Sequence, residues 1–387
     1  MDSQRNPAST SEGLLELDER LTALPRCRAT RLNTALLQIA YFRREETVRA
    51  YPGVYEIEVS SICRMRCTHC PRHFLLNRPT GHMTPEMLAT VFSAIRPYAQ
   101  NLVGGRLGEP TNHINLLHYG EPALSPHYGT AIRMARLAGL TSVSSSTACE
   151  FGDDAIRAAV EEELDELLLI FDGLDDETFK AVRGQRASFT RGMAQIEKLL
   201  AAKRLAGKQG PAVTAVMIRH PANRHQWDAF EALFSAMPGV SHQLATFSAF
   251  NGAVASIVEL KKQLADDPVQ SAADRHAAEL NTQVCNYPWS SVCVLSDGRV
   301  VPCCRDVNGS YVLGDLKHQS LSEIWNGPAM VRLRRALAAG DRDNPLCRRC
   351  TEASLEIGLP RLNLKELEDL VRDLERPPGA HTQEEPA

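Results

Sequence analysis

The rhythm of apolar and polar residues changes at Pro52-Gly53. Before it, a polar start gives way to Leu32, Leu36, Ile39 and Ala40 at helical spacing. Arg43, Arg44 and Arg49 follow, where cations suit a helix C-terminus, so 1–52 reads as a tail and a helical extension. After it, strand-like and helix-like stretches alternate. Strands are predicted over 54–59, 114–119, 141–146, 166–171 and 213–218, with a sixth near 242–247. Helices are predicted from Thr84-Pro85-Glu86 to about Tyr98, and over 126–138, 153–162, 175–182, 189–205 and 223–236. This alternation predicts an α/β fold of parallel strands under covering helices: a partial (β/α)6 TIM-like barrel over 53–250, with its chemistry at the strands' C-terminal ends. Residues 251–284 read as a charged, Ala-rich linker helix and 285–352 as a small C-terminal domain. Residues 353–387 read as a helix, 362–375, with a disordered Pro/Gly/Glu tail.

Composition narrows the picture. In 387 residues, 43% are hydrophobic and 23% charged, the balance of a soluble globular protein. A net charge of -4 lends no support to nucleic-acid binding. The start, MDSQRNPASTSEG, lacks a signal peptide's apolar core, and the longest apolar run, 167–171, suits a buried strand. A cytoplasmic protein is expected. Eleven cysteines then need explaining, because disulfides seldom persist there. Cys27 and Cys149 stand apart; the other nine form two groups, which points to metal.

Cys63-Arg-Met-Arg-Cys67-Thr-His-Cys70 directly follows the first predicted strand. Three thiolates on one loop can hold one face of a [4Fe–4S] cluster and leave the fourth iron open. A zinc site is the alternative, with His69 or His73 as fourth ligand. The loop resembles the signature of the radical S-adenosylmethionine superfamily, where the open iron is chelated by the cofactor's amino and carboxylate groups. One electron then yields a 5′-deoxyadenosyl radical. The resemblance implies a flavodoxin- or ferredoxin-type electron donor.

Further loops carry the likeness. His118-Tyr119-Gly120-Glu121-Pro122 resembles the family's Gly-Gly-Glu-Pro motif, so Gly120 and Glu121 are expected to receive the cofactor's ammonium. Ser144-Ser145-Ser146-Thr147 resembles a Ser-Thr-Asn stretch near the ribose, with Ala148 where asparagine would fall. It implies roles for Ser144 and Ser146. Phe171-Asp172-Gly173 with Arg183-Gly184 resembles an Asp-Gly … Arg-Gly stretch, implying that Arg183 meets the cofactor carboxylate. Asp172 reads equally well as a turn residue.

In the second group, Cys285 precedes a hairpin signalled by Ser296-Asp297-Gly298, Cys303-Cys304 follow it, and Cys347-x2-Cys350 closes the set. With Gly314-Asp315-Leu316 and Ser320–Asn326, this resembles the SPASM/twitch auxiliary-cluster domain. The likeness implies one auxiliary [4Fe–4S] cluster on Cys285, Cys303, Cys347 and Cys350. Cys304 is an alternative to Cys303, and Cys293 a further candidate. Four thiolates leave no open iron, which favours electron transfer. Such enzymes resemble aminocyclitol dehydrogenases, so oxidation or remodelling of a sugar- or aminocyclitol-like small molecule, within antibiotic biosynthesis, is the leading expectation. Epimerisation, with Cys149, Cys293 or Cys304 returning hydrogen, and a maturase acting on a ribosomal peptide are the alternatives. A protein that only binds iron–sulfur or zinc, without enzyme activity, is the competing class. Neither nucleic acid nor membrane is expected as a partner.

Overall fold

The computed structural model describes residues 8–95, 113–250, 252–281, 284–350 and 362–376. β1 (Val54–Ile57), β2 (His113–Asn115), β3 (Thr141–Thr147), β4 (Glu166–Ile170), β5 (Ala212–Ile218) and β6 (Val240–Ala245) lie in chain order, each parallel to the next. Side chains alternate across a strand. One face, with Tyr55, Ile57, Leu167, Leu169, Ala215 and Met217, packs into the main core beneath the helices. On the other, Leu168, Ile170 and Val216 form a separate cluster beside Ala245 and line the lumen.

The sheet does not stop at β1. β7 (Ser291–Val294) pairs parallel with it, Val54 opposite Ser291 through Ile57 opposite Val294. The expected hairpin follows: β8 (Arg299–Val301) and β9 (Gly314–Asp315) add antiparallel strands, and Gly298 turns the chain at φ +92°. Nine strands thus form one sheet, and the second cysteine region extends the barrel's own backbone ladder. It also grips the segment before β1. Trp289 Nε1 donates to Glu45 O at 2.7 Å, Trp325 Nε1 to Ala50 O at 2.8 Å, and buried Arg334 donates to Glu46 O and Pro288 O.

Several expectations need correcting. Within the expected polar tail, a helix already runs over Ala8–Thr22 and buries Leu14, Leu17 and Leu21; a second, Arg26–Phe42, follows. Their leucines recur three and four apart, a stripe that the charges between them obscure. The C-terminal helix, Leu364–Glu375, packs Leu367 onto Ala35 and Ile39. β2 ends at Asn115, well short of Tyr119, because the chain leaves the sheet to approach the first cysteine loop. The linker is two helices, Ala255–Lys262 and Pro268–Asn281. The expected helix end near Tyr98, the loop before His113 and the terminal tail lie outside the described residues.

Candidate active site between two cysteine groups

The end of β1 feeds the Cys63–Cys70 loop. Backbone bonds pin this loop to the far side of the mouth: Arg66 N donates to Arg183 O at 3.0 Å, and Thr68 N to Val182 O at 2.9 Å. Met65 and Cys67 pack with Cys149, Phe179 and Ala187, and Cys63 and Cys70 flank them. Burial pushes the Cys63 thiol up to about 11 and Cys67 up to about 12. Such thiols stay protonated until a cation displaces the proton.

Arg183 is the cation at hand. Its Nε donates to Asp172 Oδ2 at 2.6 Å, and its Nη1 to Thr147 Oγ1 at 3.2 Å and Cys67 Sγ at 3.7 Å. Burial opposes the guanidinium charge, but Asp172 and Cys67 outweigh it and hold the pKa above its ordinary value. Asp172 is fully buried and also accepts from Ile218 N at 2.8 Å, so it is a positioning residue rather than a plain turn.

The donor chemistry suits a cluster. Among the described residues, neither cysteine group forms a set with all ligand atoms within 4.8 Å of one another. One shared ion needs that compactness, whereas a cluster gives each thiolate its own iron. His69, a zinc ligand in the alternative reading, is buried against His220 and Phe247, ring centroids 6.0 Å away in both cases. Burial lowers its pKa to about 3, so it is neutral.

Gly120 is required by space. A Cβ there would lie 1.7 Å from Ser60 O, so only glycine lets this loop reach the cysteine loop. Beside it, Glu121 N donates to Ile62 O at 2.8 Å. The Glu121 carboxylate is buried and accepts from Thr147 N at 3.0 Å. Burial raises its pKa to about 7, against the lowering pull of that bond.

Register separates the serines of β3. Ser144 and Ser146 pair with Leu167 and Leu169, whose side chains face the helices; Ser145 and Thr147 pair with Leu168 and Ile170, which face the lumen. Ser144 lies against Tyr128 of the helix Tyr128–Leu137. The register therefore turns Ser144 toward the helices and Ser145 and Thr147 into the lumen, while Ser146 keeps its place at the site through a side-chain hydrogen bond to the Glu121 carboxylate. In an element of period two, an offset of one residue reverses the face.

The second group converges from three stretches of chain. Cys303 lies in the electrostatic field of its neighbour Cys304 and then of Cys285 and Cys350, and Cys347 in that of Cys350. Cys304 turns elsewhere: its Sγ is 3.6 Å from Tyr287 Oη, and Glu56 is its main charged neighbour. Cys293 on β7 faces Glu56, with Sγ 3.8 Å from Oε2. Between the two groups sits buried Tyr119, in the fields of Cys303 and Cys304 on one side and Cys70 on the other. Cys149 packs beside Cys67, away from Cys293 and Cys304.

Of the histidines and arginines near strand ends, His113 lies at the opposite end of the barrel and bonds Glu166 at 3.0 Å. Arg219 pairs with Asp267, while His220 bonds Thr68 and caps the turn Pro221–Gln226. The lumen residues Glu56 and Asn115 were not singled out from sequence. Their signal was available: two glutamates, at 56 and 58, on one face of an otherwise apolar strand.

Comparison with known proteins agrees with this geometry. Residues 285–351 match the SPASM family, an iron–sulfur cluster-binding domain. The S-adenosyl-L-methionine-dependent 2-deoxy-scyllo-inosamine dehydrogenase of Niallia circulans is 22% identical over 305 residues, 79% of this chain and 94% of that protein. Streptococcus suis SuiB bound to precursor peptide SuiA is 13% identical with a TM-score of 0.55, over 81% of this chain and 73% of that one. SuiB bound to S-adenosylmethionine superposes with a TM-score of 0.51 at 13% identity, over 78% and 72%. The chain is a radical S-adenosylmethionine enzyme. Within that superfamily it carries a C-terminal SPASM domain, and its cofactors are [4Fe–4S] clusters and S-adenosylmethionine. No described helix is long and apolar enough to cross a membrane.

Proposed function

We propose that this enzyme oxidises a carbinol carbon of a small sugar- or aminocyclitol-like metabolite to a ketone, in a biosynthetic pathway of the antibiotic type. Cys63, Cys67 and Cys70 are assigned to the initiating cluster, and Cys285, Cys303, Cys347 and Cys350 to one auxiliary cluster. When bound, these groups supply the radical that removes hydrogen and the acceptor for the second electron. The protein's part is positional. Gly120 and Glu121 offer a close backbone approach and a carboxylate to the cofactor amine, Arg183 faces its carboxylate, and Ser145 and Thr147 bound the lumen beside it.

The observation that carries the reading is the match to a dehydrogenase along nearly that protein's whole length, with Tyr119 lying in the electrostatic fields of thiols from both cysteine groups. Likeness to a peptide-bound structure supports the shared fold and leaves a peptide substrate as the competitor. Upstream of β1 the described residues form two helices and no strand, unlike a winged-helix peptide-recognition module. The test is anaerobic turnover of 2-deoxy-scyllo-inosamine deuterated at its carbinol carbons. Deuterium should appear in 5′-deoxyadenosine, with one ketone per transfer. Deuterium that stays on the cyclitol, with hydrogen drawn instead from a peptide, would overturn the proposal.

A further inference from the structure

Two glutamates on the lumen side of the first strand meet opposite fates. Glu58, fully buried, is a structural carboxylate: Arg78 Nη2 donates to its two oxygens at 2.6 and 2.7 Å, and Ser296 N donates to Oε2 at 3.0 Å. Glu56, two residues earlier, bonds no arginine or lysine among the described residues. Its Oε2 takes His118 Nδ1 at 3.3 Å and the Cys293 thiol at 3.8 Å, while Oε1 accepts nothing among the described residues and the side chain stays 16% exposed.

The neighbours of Glu56 add to this imbalance. With Nδ1–H turned to Glu56, His118 Nε2 is an acceptor, buried and without a partner. Asn115 faces Glu56 across the β1–β2 ladder, 2% exposed, and its Oδ1 is likewise unpartnered. Three acceptors therefore gather in one polar niche, one of them a carboxylate, and among the described residues no arginine or lysine bonds any of them. Buried polar groups are ordinarily paired, and a buried charge more so. An ammonium group answers all three at once, with three N–H donors and a positive charge. The niche also borders the second cysteine group, since Glu56 is the foremost charged neighbour of both Cys293 and Cys304.

We infer that Glu56, with Asn115 and His118, forms a subsite for a primary ammonium group on the substrate, held against the wall of the lumen nearest the auxiliary thiols. This rests on the small-metabolite reading above and narrows it: the substrate is an amine, and the carbon it loses hydrogen from is set by the distance from that amine. Leu168, Ile170 and Val216 line the apolar side of the lumen and offer an amine no counter-charge.

The experiment is calorimetric binding, without reductant, to the anaerobically reconstituted enzyme holding S-adenosylmethionine. The probes are 2-deoxy-scyllo-inosamine and its neutral counterpart with hydroxyl in place of the amine. Wild type should prefer the amine by about 10- to 100-fold, the range of a hydrogen bond to a charged group. Glu56→Gln should erase that preference while keeping full iron content and cofactor binding. Glu56→Asp, which retains the charge, should keep part of it and guards against a misfolded glutamine variant. Equal affinities in wild type, or a preference surviving Glu56→Gln, overturn the subsite yet leave cyclitol oxidation standing. Binding of neither probe by wild type overturns the small-metabolite reading and the subsite with it. The ligand atoms of Glu56, His118 and Cys293 lie within 4.8 Å of one another, so stoichiometric zinc lost in Cys293→Ala would make those three a metal site and also overturn the inference.

Discussion

The two cysteine groups are built on opposite plans. Cys63, Cys67 and Cys70 lie on one short loop, which a few backbone bonds to residues 182–183 hold and the Arg183 guanidinium attends at Cys67. Cys285, Cys303, Cys347 and Cys350 come from separate stretches that meet only once β7, β8 and the following helices have packed. The first is a local device, complete as soon as its loop forms; the second is a product of tertiary structure. The difference also divides labour. Three thiols leave an iron for the cofactor, while four close the set and suit electron transfer alone.

Replacing one thiolate on each side breaks the comparison most sharply. Cys67→Ala should cut iron from about eight to about four per chain and abolish reductive cleavage of S-adenosylmethionine, scored as 5′-deoxyadenosine. Cys303→Ala should lose a similar amount of iron yet keep cleavage, with ketone formation lost. Cys304→Ala should retain about eight irons, because Cys304 faces Tyr287 and Glu56.

Next in size is the tie between the two regions. Arg78 joins Glu58, the residue after β1, to Val307 O beyond the hairpin, the latter at 2.9 Å. Arg78→Met leaves a buried carboxylate unpaired and should cost about 3–5 kcal/mol in urea unfolding, with iron loss weighted toward the auxiliary cluster. The smallest expected effect is electronic. Arg183→Lys keeps a cation for buried Asp172 but withdraws the N–H···S bond from Cys67, so the midpoint potential of the initiating cluster should move negative in an EPR-monitored titration. The auxiliary midpoint should not move.

Much of this was legible in sequence for definite reasons. The parallel strands announced themselves by apolar runs such as 166–171, and the thiol groups by spacing that no core packing explains. Cys303 and Cys304 could not be told apart, because adjacent residues differ only in the direction that the folded backbone gives them. The faces of Ser144 and Ser145 were lost for the same reason: a motif gives the position of a residue, while its side depends on where the strand begins. Glu56 was missed because glutamates two apart in a strand read as a solvent-facing edge; only the fold shows that both are enclosed, Glu58 by Arg78 and Glu56 by its neighbours on β2 and β7. The pairing of β7 with β1 had no local signal, since parallel neighbours far apart in sequence share no turn.

That pairing also bears on how precisely the two metal loops are spaced. Ile57 stands opposite Val294, and the Cys63–Cys70 loop leaves from that end; β8 runs back antiparallel, Cys293 opposite Val301, so Cys303 returns to the other end of a ladder whose neighbouring strands lie about 4.8 Å apart. Among the described residues one continuous ladder joins the two regions. A swinging auxiliary domain would make the electron's path vary from one molecule to the next; a shared hydrogen-bond ladder makes it the same length in each.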